Sequence, residues 1–140
     1  MKDFKELQVW QKAHALALKV YRVSRAFPND ERFGLTSQLR KAATAVPTNI
    51  AEGCGRSTDA DLARFADIAM GSASETEYQL LLAHDLRYID SKTHREIEED
   101  VSEVKRMLAA YIRYLRRESS KKTVPPSRRT PSARNLTPDT

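Results

Sequence analysis

The chain has 140 residues, of which 40% are hydrophobic, 31% charged and 7% aromatic, and 24 Lys and Arg against 19 Asp and Glu give a net charge of +5. This length suits one small domain with its own hydrophobic core and excludes a multidomain enzyme. One cysteine excludes an intrachain disulfide, and without a long apolar run we expect no membrane span or signal peptide, hence a cytoplasmic protein.

The first predicted helix runs from Phe4 to Phe27. Its apolar residues recur at spacings of four and three, as in helices of bundles: Val9, Ala13, Leu16, Val20, Val23 and Phe27. A second apolar stripe lies about 100° away on the same helix, and it comprises Leu7, Trp10, His14, Ala17 and Tyr21. Because one bundle interior needs only one stripe, we predict that the second forms an oligomer interface. The remaining side is expected to be a solvent-exposed basic stripe of Lys5, Lys12, Lys19 and Arg22.

The second predicted helix follows Pro28, is capped by Asn29-Asp30 and runs from about Glu31 to Glu52. One face carries Leu35, Leu39, Ala42, Val46 and Ile50. Pro47 lies inside this helix, where its missing N–H group and its ring are expected to bend or end the helix.

Two further helices complete the pattern. Thr58 with Asp61 resembles a capping box and opens a third helix that extends to Tyr88. Ser91 or Thr93 is expected to cap a fourth, whose apolar stripe is Ile97, Val101, Val104, Leu108, Tyr111 and Leu115. No segment alternates as a strand does, so we predict an all-α, antiparallel up-and-down four-helix bundle over residues 1–116.

The composition changes after this point. Residues 116–140 hold seven basic and two acidic residues, four prolines and few apolar side chains. We therefore predict that residues 117–140 form a disordered basic tail rich in Ser, Thr, Pro and Arg. The rest of the chain is neutral but polarised: residues 1–56 carry ten basic and five acidic groups, and residues 57–115 carry seven and twelve.

The sequence contains no recognisable catalytic signature. A di-iron bundle needs Glu-x-x-His pairs, but the residues three before His14, His84 and His94 are Gln11, Leu81 and Ser91. These histidines are interpreted as packing or surface residues, and Cys54 has no identifiable base beside it. We predict a protein that is not an enzyme and that holds neither a metal nor a cofactor.

The segment Asn49–Arg56 combines polar residues and glycines at the end of an apolar helix. In one interpretation, Asn49 and Glu52 form a hydrogen-bond network that reaches Ser72 or Glu75. In the other, Arg56 joins Arg40 and Lys41 in a phosphate-binding surface, because guanidinium groups suit phosphates. Both interpretations remain open from the sequence.

Four motifs in order carry a family resemblance: Phe4-x-x-Leu7-x-Val9-Trp10-Gln11-x-Ala13, Phe27-Pro28-x-x-Glu31-x-x-Gly34-Leu35-Thr36-x-Gln38-Leu39-Arg40, Pro47-x-Asn49-Ile50-Ala51-Glu52-Gly53-x-Gly55-Arg56 and Ala69-x-Gly71-Ser72-x-Ser74-Glu75. They resemble the 23S rRNA intervening-sequence proteins, a family that is similar to the accessory variability determinant of diversity-generating retroelements. The resemblance implies a four-helix bundle that assembles as a homopentamer and associates with RNA and, in the retroelements, with a reverse transcriptase. The motifs' polar residues serve either subunit packing or function: Gln38, Asn49, Glu52, Ser72 and Glu75.

We therefore predict a non-catalytic homo-oligomer that binds RNA or DNA through basic surfaces. Sequence preference is expected to be low, because no aromatic stacking platform is evident beside the basic groups. The alternatives are a protein-interaction scaffold and an accessory factor to a reverse transcriptase. The candidate contacts to nucleic acid are Lys5, Lys12, Lys19, Arg22, Arg40, Lys41, Arg56, Arg116, Arg117, Lys121, Lys122, Arg128, Arg129 and Arg134.

Overall fold

A computed structural model describes residues 2–122 of the chain. Four helices account for most of this part: α1 (Gln8–Ser24), α2 (Leu35–Cys54), α3 (Asp59–Asp85) and α4 (Ser91–Lys122). Short 3-10 turns, Phe4–Glu6 and Asn29–Glu31, precede α1 and α2. The described residues contain no β-strand, so the predicted all-α class is confirmed.

The helices form an antiparallel up-and-down bundle. Each helix packs against the next one along the chain, and α1 packs against α4 to close the bundle, with no contact between diagonal helices in residues 2–122. Short connections between successive helices allow only this antiparallel arrangement of neighbours. The predicted four-helix bundle is therefore confirmed.

The core consists of the apolar stripes that the sequence predicts. Leu16 of α1, Leu39 of α2, Leu80 of α3 and Leu108 of α4 are among its largest fully buried side chains. The first stripe of α1 is buried at Val9, Ala13 and Val20 as well. Since all four helices contribute such residues, burial of apolar area holds the helices together.

The start of α2 differs from the prediction. A 3-10 turn occupies Asn29–Glu31, and the helix begins at Leu35, four residues later than expected. The Glu31 carboxylate accepts the backbone N–H of Leu35 at 3.1 Å, so Glu31 caps the helix rather than Asn29 or Asp30. A side-chain acceptor at this place satisfies one of the unpaired donors of the first helical turn.

The helix α2 also continues through Pro47, which the sequence predicted would bend or end it. Pro47 is buried and lines the groove between α1 and α2. On one side of the proline, the Thr48 hydroxyl donates to the carbonyl of Thr44 at 2.7 Å. Packing against α1 offsets the cost of about 3 kcal/mol that a proline imposes inside a helix.

The helices α3 and α4 are capped by different residues. Thr58 accepts the backbone N–H of Asp61 at 3.1 Å, which confirms the predicted cap. At α4 the cap is Asp90, not Ser91 or Thr93, because its carboxylate accepts the backbone N–H of Thr93 at 2.7 Å. That hydrogen bond lowers the pKa of Asp90.

The end of α4 corrects the predicted boundary of the tail. The helix continues to Lys122, six residues beyond residue 116. Leu115 is buried and Arg116 pairs with Asp67 of α3, so packing against α3 extends the helix past the point where the composition changes. Residues 123–140 of the predicted disordered tail lie outside the described residues. Within the described part, no helix combines the length and the apolar character that crossing a bilayer requires.

Candidate nucleic-acid interface

The basic stripe predicted on α1 is partly neutralised by α4. Lys12 lies 3.3 Å from a carboxylate oxygen of Glu103, and Lys19 lies 2.7 Å from one of Asp100. Lys19 is also half-buried, so the expectation of a fully solvated stripe is wrong for this residue. The reason is tertiary: the acidic residues of α4 lie beside this flank of α1. The two ends of the stripe, Lys5 and Arg22, stay exposed without a carboxylate partner among the described residues.

The basic residues of α2 have two different environments. Arg40 donates to the Ser24 hydroxyl at 2.8 Å and to the carbonyl of Tyr21 at 3.3 Å, and its guanidinium lies 4.6 Å from the Tyr21 ring centre. Arg40 therefore joins α2 to the end of α1, where helix carbonyls attract a cation. Lys41 is exposed and has no carboxylate partner within residues 2–122. The structure does not bring Arg56 together with these two residues, because Arg56 lies at the opposite end of α2.

Instead, Arg56 meets an arginine that the sequence analysis missed. The guanidinium groups of Arg56 and Arg64 lie 4.7 and 4.9 Å from the centre of the Phe65 ring. Arg56 pairs with Glu52 at 3.2 Å, and Arg64 pairs with Asp61 at 3.5 Å. A buried aromatic ring therefore holds two arginine side chains at the α2–α3 connection.

Arg116 lies at the same end of the bundle. It pairs with Asp67, and together with Arg64 it lines a pocket of about 430 Å³ that also includes Ser119 and Ser120. We call Arg56, Arg64 and Arg116 the arginine cluster. Each of the three guanidinium groups contacts its carboxylate through a single nitrogen, which leaves donors on the others for a further acceptor.

Other predicted basic residues lie at the same end of the bundle as the arginine cluster. Lys5 is exposed, with its ammonium 5.8 Å from the centre of the Phe4 ring, and Arg117 is exposed near the end of α4. Lys121 pairs with Glu118 at 3.2 Å. The chain continues from this end of the bundle into the remaining predicted contacts, Arg128, Arg129 and Arg134, which lie outside the described residues, as does the side chain of Lys122.

The second apolar stripe of α1 borders a groove between α1 and α2. Four of its five residues line this groove, which has a volume of about 320 Å³: Trp10, His14, Ala17 and Tyr21. Trp10 and His14 stack with their ring centres 4.9 Å apart. The fifth residue, Leu7, lies in a separate groove between α1 and α4. Of the rings in this groove, Tyr21 lies beside a basic group, since the Arg40 guanidinium is 4.6 Å from its ring centre.

Groups with catalytic potential lie in two separate places: Cys54 at the end of α2, and His84 near the α3–α4 connection, where its ring also lies 3.1 Å from the Ser91 hydroxyl. Cys54 is buried, and this burial raises the pKa of its thiol, which disfavours the reactive thiolate. His84 and His94 stack on each other with ring centres 4.5 Å apart. No three His, Cys, Asp or Glu side chains in residues 2–122 are placed to hold a metal ion.

Comparison with known proteins places this chain in a family. The family model described as "23S rRNA-intervening sequence protein" matches residues 5–110. The chain belongs to this family. A crystal structure of a protein of unknown function from the S23 ribosomal protein family of Bacteroides thetaiotaomicron VPI-5482 is 26% identical, with a TM-score of 0.70 over 75% of this chain and 95% of that one. No curated protein matches the chain.

The polar residues of the family resemblance make local contacts rather than the expected network. Asn49 donates to the carbonyl of Ala45 at 2.8 Å, and Glu52 pairs with Arg56. On α3, the carbonyl of Ser72 accepts from Thr76, and Glu75 accepts from Gln79 at 3.3 Å. Gln38 is exposed on α2. The predicted link from Asn49 and Glu52 to Ser72 or Glu75 is therefore wrong, since each residue bonds within its own helix or its adjoining turn.

Within this family member, the arginine cluster spans the edge of the matched range. Arg56 and Arg64 lie inside residues 5–110, whereas Arg116 lies beyond them. Arg64 was not predicted to contact nucleic acid, because it is the one arginine of α3 and is accompanied there by six Asp and Glu residues. Only the packing of α2 on α3 places it beside Arg56.

Proposed function

We propose that this protein is a non-catalytic, homo-oligomeric nucleic-acid-binding protein whose arginine cluster contacts phosphate groups. The observation that carries the proposal is the convergence of Arg56, Arg64 and Arg116 at the end of the bundle from which the basic segment 123–140 continues. Guanidinium groups that are held in place suit the phosphate backbone, because they form directed pairs of hydrogen bonds. The family's name, which refers to 23S rRNA, makes RNA the first ligand to test.

Binding of this kind is expected to depend strongly on salt. Each phosphate that is neutralised releases counterions, so log K falls with log salt concentration by about 0.7–0.9 per contact. A titration of nuclease-treated protein with structured RNA, single-stranded RNA and duplex DNA at two salt concentrations measures this slope. Failure to bind any of them at low salt would contradict the proposal.

The arginine cluster makes the test specific to one surface. Arg56→Gln and Arg64→Gln are each expected to lower affinity several-fold and to reduce the salt slope by roughly one contact. Arg95→Gln is the matched control, because Arg95 is exposed at the opposite end of the bundle, near the start of α4. Equal losses in all three variants would indicate that only net charge matters and would remove the arginine cluster from the proposal.

Truncation after Lys122 distinguishes the proposal from its alternatives. The truncated protein loses Arg128, Arg129 and Arg134, so its affinity and salt slope for RNA are expected to fall while the oligomer stays intact. Unchanged RNA binding would leave the arginine cluster as the main contact.

If neither part of the protein binds nucleic acid, the protein-interaction scaffold becomes the better interpretation. A reverse transcriptase encoded beside this protein would favour the accessory-factor alternative.

The assembly itself has a direct measurement. Light scattering on protein treated with nuclease gives the mass of the particle, and the ratio of absorbance at 260 and 280 nm before and after treatment reports bound nucleic acid. We expect a mass several times that of the 15.9 kDa chain, and the family resemblance implies five copies. The cytoplasmic location remains a prediction.

A further inference from the structure

Two exposed apolar faces lie on different sides of the bundle. The groove between α1 and α2 includes Leu18, which is 48% exposed. On α3, Tyr78 is 59% exposed, Ile68 45% and Leu81 44%. Large apolar side chains that stay exposed on both faces of one small domain indicate surfaces that are covered by a partner.

The face of α3 has room for another backbone. A Cβ atom added at Gly71 would meet nothing within 4 Å, so no contact inside the chain requires glycine at this mid-helix position. Glycine nonetheless weakens a helix relative to alanine. Gly71 and Tyr78 are seven residues apart and therefore lie on the same side of α3. Ile68 and Leu81 lie on either side of these two residues and are about 20 Å apart along the axis of α3. This separation is similar to that of Trp10 and Tyr21, which are roughly 17 Å apart along α1.

The two faces carry opposite charge. No Asp or Glu occurs in α1, and the exposed cations Arg22 and Lys41, near the groove, have no carboxylate partner within the described residues. The helix α3 contains six Asp and Glu residues and a single basic residue of the Lys or Arg type, Arg64. Two of these acidic residues, Glu75 and Asp85, pair with no Lys or Arg in residues 2–122. Opposite potentials on two apolar faces are the arrangement that orients association.

We infer that the α1–α2 groove of one copy docks on the outer face of α3 of a second copy. This inference rests on the proposed homo-oligomer and names the two surfaces that join its subunits. Two different faces make the contact heterologous, so repeated docking produces a ring or a filament instead of a closed pair. A single-stranded RNA that stacked its bases on Trp10 and His14 would account for the groove, but it would leave the exposed face of α3 without a partner.

Two variants disable one face each. Leu18→Glu places a carboxylate in the groove, where it would repel the acidic α3, and Gly71→Leu fills the space on α3. Both positions are open in the single chain, so both variants are expected to fold, as circular dichroism melting checks. Each is expected to have the 15.9 kDa mass of one chain by light scattering after nuclease treatment. Ala15→Leu, at an exposed position of α1 outside the groove, is the control and should keep the wild-type mass.

Mixing the two variants tests the heterologous contact directly. Leu18→Glu keeps the α3 face, and Gly71→Leu keeps the groove. In an equimolar mixture these two intact faces are expected to join one copy of each variant into a pair of twice 15.9 kDa. The pair cannot grow further, because its two remaining faces are the disabled ones. If Gly71→Leu unfolds, Tyr78→Lys replaces it in the same mixture.

Three results would overturn the inference. They are a wild-type protein with the mass of one chain, variants that keep the wild-type mass, and a mixture that stays monomeric. A Leu18→Glu variant with unchanged mass but weaker RNA binding would assign the groove to nucleic acid instead. RNA titration of the wild-type protein is measured separately, so failure of this interface leaves the nucleic-acid proposal to its own test.

Discussion

At the scale of single residues, Glu31 connects the start of α2 to the segment between α3 and α4. Its carboxylate accepts a hydrogen bond from the backbone N–H of Leu35 at 3.1 Å and another from the Tyr88 hydroxyl at 2.8 Å. The bond from Leu35, followed by the bond from Tyr88, lowers the pKa of Glu31. The bond to Glu31 also raises the pKa of Tyr88. One side chain thus caps α2 and holds the connection between α3 and α4.

This arrangement predicts a pH-dependent contribution to stability. Because the pKa of Glu31 in the folded protein lies below its ordinary value of 4.5, the stabilisation is present above that value and is lost as the pH falls through the folded-state pKa. Glu31→Gln is therefore expected to lower Tm clearly at pH 7 and progressively less below about pH 4.5. Thermal melts followed by circular dichroism at pH 3, 5 and 7 measure the difference.

The control for this experiment is Glu98→Gln, since Glu98 is exposed on α4 and pairs with no Lys or Arg among the described residues. Its effect on Tm should be small at every pH. A loss of Tm in Glu31→Gln that stays constant from pH 7 to pH 3 would show that the stabilisation does not depend on ionisation of Glu31 and would contradict the prediction.

At the scale of helices, the close approach of α2 and α3 depends on Gly53. A Cβ atom at this position would lie 2.7 Å from Cδ1 of Leu62 and 2.9 Å from Cβ of Phe65. Both distances are too short for real contacts, so α3 or its side chains would have to move. Phe65 also lies beneath Arg56 and Arg64, which links this helix contact to the arginine cluster.

Gly53→Ala is expected to destabilise the protein. The clash with α3 costs about 1–3 kcal/mol, and the higher helix propensity of alanine offsets up to about 1 kcal/mol of this. We expect a net loss of about 1–2 kcal/mol in the free energy of unfolding, measured by urea denaturation. Gly55→Ala is the matched control, because a Cβ atom at Gly55 would lie 3.4 Å from its nearest neighbour, the carbonyl oxygen of Glu52. Equal effects of the two substitutions would contradict the close packing of α2 on α3.

At the scale of the whole molecule, charge is distributed by helix. The helix α1 carries three basic residues and no acidic one, whereas α3 carries six acidic residues and Arg64. Ion pairs such as Lys19–Asp100 and Lys105–Glu77 neutralise part of this charge between neighbouring helices. The charges without an ion-pair partner among the described residues include Arg22 and Lys41 near the α1–α2 groove and Glu75 on α3, and these charges provide the polarity that the proposed assembly requires.

An assembled protein is expected to have a concentration-dependent Tm. Subunit association stabilises the folded chain by mass action, about 1.4 kcal/mol for each tenfold change in concentration. For a domain of this size, that corresponds to an increase in Tm of roughly 3–6 °C. Calorimetry at three concentrations measures the increase, and Leu18→Glu should abolish it. A wild-type Tm that does not change with concentration would contradict assembly in this range.

The arginine cluster shows why part of the candidate site could not be predicted. Arg56 and Arg116 were identified from the sequence as basic residues, but their proximity depends on contacts between α2, α3 and α4. Arg64 gave no local signal, because nothing in α3 distinguishes it from a solvent-exposed arginine. Likewise, the pairing of Lys12 and Lys19 with α4 joins residues that lie about 80 or 90 positions apart in the chain.

The sequence by itself determined the number of helices, their apolar faces, the cap at Thr58 and the four-helix class, because periodicity and capping are local properties of the chain. Tertiary structure alone decided that α2 continues through Pro47, that α4 extends to Lys122, and which charges pair. Those outcomes depend on the packing of distant segments, whose energy exceeds local preferences of about 1–3 kcal/mol. Local signals therefore specified the helices, and contacts between helices specified the surfaces on which function is proposed.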